Sequence, residues 1–214
     1  NVTKGRVNDG RLQLDFTIDS RTGTKITGML GKRGMLDKKY YENLDRDSLE
    51  KEDGFKIFMF HTTINEMKPK SLEMMEGSPI SLLPKGFDYY AGGHVHIVKK
   101  AEVEGYKNII YPGPVFPNSF SEIEELGNGS YVFYNDGDVE HKDIPLASRE
   151  GIVIDCKNRS PEEVEREIES HIDERFEGKI VTIRVKGKLG NGRLTDIGFN
   201  SLFEKMYQKG AVFV

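Results

Sequence analysis

The sequence has little cysteine, no long apolar run and no excess of positive charge. Its 214 residues include one cysteine, Cys156, so no disulfide can form within the chain, and a reducing cytoplasm is the expected compartment. No run of about 18 apolar residues is present, which argues against a transmembrane helix, and no signal peptide is recognisable. The formal net charge is −4, so any contact with nucleic acid requires a local basic patch.

The chain also lacks an initiating methionine, because it opens at Asn1. We therefore expect an internal fragment or a processed product. A content of 36% hydrophobic and 31% charged residues is typical of a globular protein with a heavily charged surface. With 214 residues, the chain is long enough for one core, or for one core and a small second domain.

A Gly-Gly-His-Val-His segment at 92–96 is the strongest chemical signal. In extended backbone, side chains at i and i+2 point to the same side, so His94 and His96 are expected to reach one metal ion or two adjacent ions. A third histidine, His61, ends the apolar run 55–60. Functional residues gather at the strand ends of α/β sheets, so we predict that these three histidines are metal ligands. The alternative is two unrelated histidine sites, each hydrogen-bonded within the fold.

Before residue 147, the pattern is mainly that of strands and loops. Period-two alternation and short apolar runs predict strands at 12–18, 25–30, 55–60, 89–92, 97–103 and 107–111, and a hairpin formed by 131–134 and 139–144. One amphipathic helix is predicted over 36–49, a loop with a helical turn over 67–79, and irregular structure over 115–126. The loop 31–34 carries two cations, for which both a phosphate contact and plain solvation are open.

After a boundary at 147–151, the pattern changes to that of a small α/β module. A strand at 152–155 precedes Ser160-Pro161-Glu162-Glu163, a typical helix start. A strand at 179–185, a helix at 196–208 and a strand beginning at 211 follow. Four cations occur within ten residues: Arg184, Lys186, Lys188 and Arg193. They predict either sequence-independent contact with a DNA backbone or an ordinary charged edge.

Three segments carry a resemblance to a known family. They are 55–61, 82–96 and Ile110-Tyr111-Pro112-Gly113, in the order strand-His, Gly-His-x-His and Tyr-Pro-Gly. This order resembles the calcineurin-like metallophosphoesterases and, more narrowly, the archaeal double-strand-break repair nucleases of the meiotic-recombination type. The resemblance implies an α/β fold with a partial calcineurin-like metallophosphoesterase sandwich. Residues 1–146 would be the C-terminal portion of the nuclease domain, and 147–214 a small α/β DNA-capping domain.

The resemblance also implies an activity and partners. It implies manganese-dependent exonuclease or endonuclease action on DNA ends, in which two ions about 4 Å apart activate a water and stabilise charge on the phosphate. His61 and His94 match ligands of one ion, and His96 matches a ligand of the other. The implied partners are DNA ends, an SMC-like ATPase and a second copy of the chain, at a nucleoid-associated cytoplasmic location.

The sequence departs from the family pattern at three elements. It has no Asp-x-His and no Asn-His dipeptide, and no bridging aspartate is identified. We expect these elements upstream, so no residue of the chain is assigned as catalytic and the chain alone is expected to be inactive. Three alternatives stay open: a natural chain without catalysis, a calcineurin-like phosphodiesterase acting on nucleotides or phospholipid precursors, and a non-catalytic DNA-binding module.

Overall fold

The computed structural model describes residues 4–31, 36–135, 137–145 and 147–214. Its strands are β1 (Lys4–Asn8), β2 (Arg11–Asp15), β3 (Thr17–Ile18), β4 (Lys25–Gly28), β5 (Lys56–His61), β6 (Tyr89–Gly93), β7 (Val98–Val103), β8 (Tyr106–Pro112), β9 (Gly129–Asn135), β10 (Asp138–Ile144), β11 (Arg149–Asp155) and β12 (Ile180–Lys186). Its α-helices are α1 (Leu36–Glu42), α2 (Arg46–Glu50), α3 (Phe120–Leu126), α4 (Pro161–Ser170) and α5 (Phe199–Gln208). No helix in the described part of the chain is long and apolar enough to cross a membrane.

The chain divides into two compact units. The first unit contains Asn1–Pro114 and Ser130–Lys142, and the second contains Val115–Gly129 and Asp143–Val214. The fold is therefore mixed α/β, as predicted at this coarse level. The functional boundary between 146 and 147 stays a prediction.

A six-stranded mixed sheet organises the first unit. Its order is β3-β4-β5-β6-β8-β7, with β4, β5, β6 and β8 parallel to one another and antiparallel strands at both edges. The central strand β5 places Phe58 and Phe60 in the core, because alternate residues of a strand face the same side. Because β4, β5, β6 and β8 are parallel, their carboxyl ends meet at one edge of the sheet.

Lys56 is the one charged residue in the apolar run of β5, and it is buried with 3% of its surface exposed. Its ammonium donates hydrogen bonds to the carbonyls of Leu49 and Glu50 at 3.1 and 3.2 Å, where helix α2 ends. Burial lowers the pKa of Lys56, although nearby carboxylates oppose this shift. The lysine thus satisfies helix carbonyls that have no partner within the helix.

The second unit is a small α/β module. Strands β11 and β12 are parallel and in register from Arg149–Ile180 to Asp155–Lys186. Apolar residues of both strands pack against Val164 and Ile168 of α4 and Leu202 and Met206 of α5. Helix α4 begins as predicted, because the Ser160 side chain accepts from the Glu163 amide and the Glu163 side chain accepts from the Ser160 amide.

The structure differs from the predicted elements at several places. The single helix expected over 36–49 is two helices, α1 and α2. The segment expected to be irregular over 115–126 contains α3, which Ser119 caps by accepting from the Glu122 amide. The strand expected from 211 is an isolated bridge between Ile180 and Phe213. Residues 32–34 of the predicted cation loop lie outside the described residues.

Gly28 lies where β4 meets β5 too closely for a side chain. A β-carbon at this position would lie 2.2 Å from the Met59 carbonyl oxygen, which is a backbone atom of the neighbouring strand. We expect Gly28→Ala to lower the free energy of unfolding of the first unit by about 3 kcal/mol, because the two strands must separate. Urea unfolding measures this change.

Gly151→Ala is the matched control for Gly28→Ala. It is also a strand glycine, but its added β-carbon would meet the flexible guanidinium end of Arg149 at 2.7 Å. We expect a change of about 0.5 kcal/mol in the unfolding of the second unit. Equal losses for the two substitutions would contradict the steric explanation.

Candidate metal centre

His61 is the last residue of β5 and lies at the carboxyl edge of the parallel sheet. It pairs in register with Gly93, the last residue of the neighbouring strand β6. Strand alternation places His61 on the opposite side of β5 from the buried Phe58 and Phe60, and His61 is exposed. The side chain is therefore available to solvent at the strand ends, where ligands bind in open α/β sheets.

Two glycines form a narrow slot around the His61 imidazole. A β-carbon on Gly31 would lie 2.4 Å from His61 Cδ2, and one on Gly93 would lie 2.9 Å from His61 Nδ1. Any larger residue at either position would displace the ring. The imidazole therefore lies beside two backbone positions that carry no side chain.

His94 follows β6 directly and lies in a bend with a φ of +94°. This is a region that favours glycine, and a non-glycine residue held there costs of order 1–3 kcal/mol. The expected extended backbone through His94 and His96 is not found at His94, where φ is positive. That their side chains share one side stays a prediction. Such strain is concentrated at functional sites in proteins.

The bend brings His94 to His61. Their ring centroids lie 5.3 Å apart with an angle of 67° between the ring planes. Two imidazoles that bind one ion through nitrogens about 2.1 Å away, at a tetrahedral angle, have ring centres about 5 Å apart. The observed separation of 5.3 Å is similar to this spacing and is also that of an edge-to-face contact between two rings. Imidazole suits Mn, Fe and Zn alike.

The complete ligand set is a separate question from this pair. His96 is exposed and lies two residues beyond His94. Within the described ranges, no group of three or more His, Cys, Asp or Glu side chains is arranged to hold a metal ion. The set of His61, His94 and His96 thus stays a prediction, of which the structure brings two members together.

Tyr111 supports the backbone around His61, a role that the sequence did not reveal. Its hydroxyl donates to the Thr62 carbonyl at 2.6 Å and accepts from the Ile64 amide at 3.0 Å. Its ring packs edge-on against Phe60 with centroids 5.5 Å apart. Burial raises the pKa of Tyr111, so the hydroxyl keeps its proton and can donate at any ordinary pH.

Gly92, the first glycine of the Gly-Gly-His motif, also lies where a side chain would not fit. A β-carbon there would lie 2.6 Å from the Phe60 ring, 2.9 Å from the Ile110 carbonyl oxygen and 2.9 Å from the Tyr111 ring. The glycine pair therefore has two separate functions. Gly92 allows Phe60 and Tyr111 to pack against the β6 backbone, and Gly93 allows the His61 ring to lie beside it.

The four predicted DNA-binding cations have different surroundings. Arg184 is hydrogen-bonded to Glu124 through Nε at 3.1 Å and through Nη2, and its guanidinium lies 5.0 Å from the Phe120 ring centre. The bond from Arg184 lowers the pKa of Glu124. Lys186, Lys188 and Arg193 are exposed. Binding of DNA by these residues stays a prediction.

Comparison with known proteins finds similarity over part of the chain. No protein-family model matches the chain. Over 122 residues, the chain is 32% identical to the DNA double-strand break repair protein Mre11 of Methanococcus maripaludis. The match covers 56% of this chain and 31% of the relative, so the chain spans about a third of the relative's length. Over this part of its sequence, the chain is therefore similar to a DNA double-strand break repair protein.

Proposed function

We propose that this chain is part of a DNA double-strand-break repair nuclease of the calcineurin-like metallophosphoesterase class. The observation that carries the proposal is the proximity of His61 and His94 at the carboxyl ends of adjacent parallel strands. Their ring centroids lie 5.3 Å apart. The similarity to Mre11 supports DNA repair as the setting. The proposed reaction is hydrolysis of phosphodiester bonds at DNA ends, by exonuclease or endonuclease action.

The proposed cofactor is a pair of Mn²⁺ ions. His61 and His94 would bind one ion, His96 would bind the other, and residues outside this chain would supply the remaining ligands. When bound, two such ions supply Lewis acidity to an attacking water and neutralise charge on the phosphate. The chain's own contribution is to hold the imidazoles in place, through the Gly31–Gly93 slot for His61 and the bend at His94.

The second unit would contact the DNA backbone. Lys186, Lys188 and Arg193 are exposed and are proposed to neutralise phosphates without reading sequence. Arg184 would orient this region through its bonds to Glu124. We include residues 147–214 as a DNA-capping domain in the proposal, together with a homodimer, an SMC-like ATPase partner and a nucleoid-associated location.

Mn²⁺ titration followed by NMR tests the metal site. Mn²⁺ is paramagnetic, so it broadens most strongly the imidazole signals that lie nearest to the bound ion. We expect broadening of His61 and His94 at the lowest Mn²⁺ concentrations, followed by His96. The chain contains two further histidines, His141 on β10 and His171 at the end of α4, which serve as internal controls.

The contrast between the two groups of histidines decides the test. Uniform broadening of all five histidines would mean weak surface binding and would contradict the proposed site. Broadening of His61 without His94 would contradict the shared ion. In His94→Ala, the Mn²⁺ concentration that broadens the His61 signals is expected to rise about tenfold or more, because the ion has lost one of its proposed ligands.

A further inference from the structure

Tyr111 touches the chain on both sides of His61. Before His61, its ring packs edge-on against Phe60. After His61, its hydroxyl bonds to the Thr62 carbonyl and the Ile64 amide. We propose that Tyr111 is a positioning residue that sets where the His61 imidazole lies relative to His94. This inference rests on the proposed metal site and identifies how the fold holds it.

The segment after His61 depends on Tyr111 because it is buried. Thr62, Thr63 and Ile64 have exposed fractions of 6%, 3% and 0%. A buried carbonyl or amide that loses its partner costs about 1–3 kcal/mol, so the backbone shifts to find a new one. The Thr62 carbonyl belongs to the peptide that joins Thr62 to Thr63, directly after His61, so we expect a shift of this peptide to move the adjoining backbone that carries the His61 imidazole.

Tyr90 provides a matched comparison within the same sheet. Its hydroxyl also makes two backbone bonds, donating to the Pro84 carbonyl at 2.8 Å and accepting from the Phe87 amide at 3.3 Å. Tyr90 and Tyr111 are both almost fully buried. The Tyr90 bonds, however, hold the turn that enters β6, at the opposite end of the parallel strands from His61.

Tyr111→Phe and Tyr90→Phe remove equivalent bonds and retain the aromatic rings. Both are expected to lower stability by similar amounts, so stability alone cannot separate positioning from packing. We expect Tyr111→Phe to raise the Mn²⁺ concentration that broadens His61 by about tenfold, in the range known for residues that orient metal ligands. Tyr90→Phe is expected to leave this concentration within about twofold of the wild type.

A second readout needs no metal. In the metal-free wild type, the 5.3 Å separation of the His61 and His94 rings predicts a nuclear Overhauser effect between their protons. We expect this effect to weaken in Tyr111→Phe and to persist in Tyr90→Phe. Circular dichroism at low temperature establishes that each variant is folded during both measurements.

The outcomes separate this inference from the proposed function. If Mn²⁺ does not select His61 and His94 in the wild type, the metal site itself is wrong. If the wild type binds Mn²⁺ at this site but Tyr111→Phe shows the same Mn²⁺ titration and the same nuclear Overhauser effect, Tyr111 does not position His61. Equal losses in the two variants would also overturn the inference. Hydrogen exchange of the wild type adds a test without substitution, because a rapidly exchanging Ile64 amide would mean that the Tyr111 bond is absent.

Discussion

His94→Ala is expected to lower manganese-dependent cleavage of linear duplex DNA by about 10³-fold in the intact nuclease that we propose. Metal ions contribute several kcal/mol to the stabilisation of transition-state charge, and each 1.36 kcal/mol corresponds to about a tenfold change in rate. His94 has a φ of +94°, and its imidazole lies edge-to-face with that of His61 at the sheet edge. Its removal would leave the proposed ion without one of its two imidazole ligands.

Initial rates of nucleotide release from an end-labelled duplex, at several Mn²⁺ concentrations, provide the measurement. His141→Ala is the control, because His141 is an exposed histidine on β10 of the same unit. We expect it to retain the wild-type rate within about twofold. A His94→Ala enzyme with an unchanged rate would reject the proposed site. Cleavage of nucleotides or phospholipid precursors but not of DNA would support the proposed site and contradict the proposed DNA substrate.

Raising the pH from about 10.5 to about 12 is expected to lower the free energy of unfolding of the first unit by about 4 kcal/mol. Burial raises the pKa of Tyr90 and of Tyr111 above the usual value near 10. In this range the unfolded chain ionises both tyrosines while the folded chain does not. Unfolding therefore releases protons, and each tyrosine lowers stability by about 1.36 kcal/mol per pH unit.

Lys56 has the opposite effect, but at lower pH. Burial lowers the pKa of Lys56, so the folded state loses the ammonium proton at a lower pH than the unfolded state does. Stability therefore rises with pH until the unfolded lysine is also neutral, above about 10.5. Above that pH the tyrosine effect remains. Tyr89 and Tyr106, whose pKa values are also raised by burial, add to the loss.

Urea unfolding at a series of pH values measures the slope. Tyr90→Phe and Tyr111→Phe are each expected to remove about 1.36 kcal/mol per pH unit from it. Tyr131→Phe is the control, because Tyr131 lies on β9 in the same unit with 47% of its surface exposed. A slope that Tyr131→Phe changes as much as Tyr111→Phe would contradict the assignment to buried tyrosines.

The sequence predicted most strands because their signals are local. The run 55–60 and the segment 89–92 became β5 and β6 within one residue at each end, and the hairpin 131–144 formed between β9 and β10. Prolines and capping residues also act locally, so the start of α4 at Pro161 was predicted correctly. Helix α3 was missed although its signal, Ser119 followed by Glu122, is of the same kind.

Local patterns are less informative where contacts distant in sequence decide the conformation or the surroundings of a residue. The bend at His94 is not a local preference, because non-glycine residues rarely adopt a φ of +94°. Likewise, four cations in ten residues predict a charged surface, but the sequence does not reveal that Glu124 pairs with Arg184, since 60 residues separate them.

The sequence alone shows which residue types are available at the site: three histidines, the glycine pair before His94 and the Tyr-Pro-Gly segment. Three features of the site required the folded structure: His61 and His94 lie edge-to-face, Gly31 and Gly93 leave room for the His61 ring, and Tyr111 bonds to the backbone after His61. The parallel sheet explains why. It joins strands that are distant in sequence at one edge, and no local pattern encodes which residues meet there.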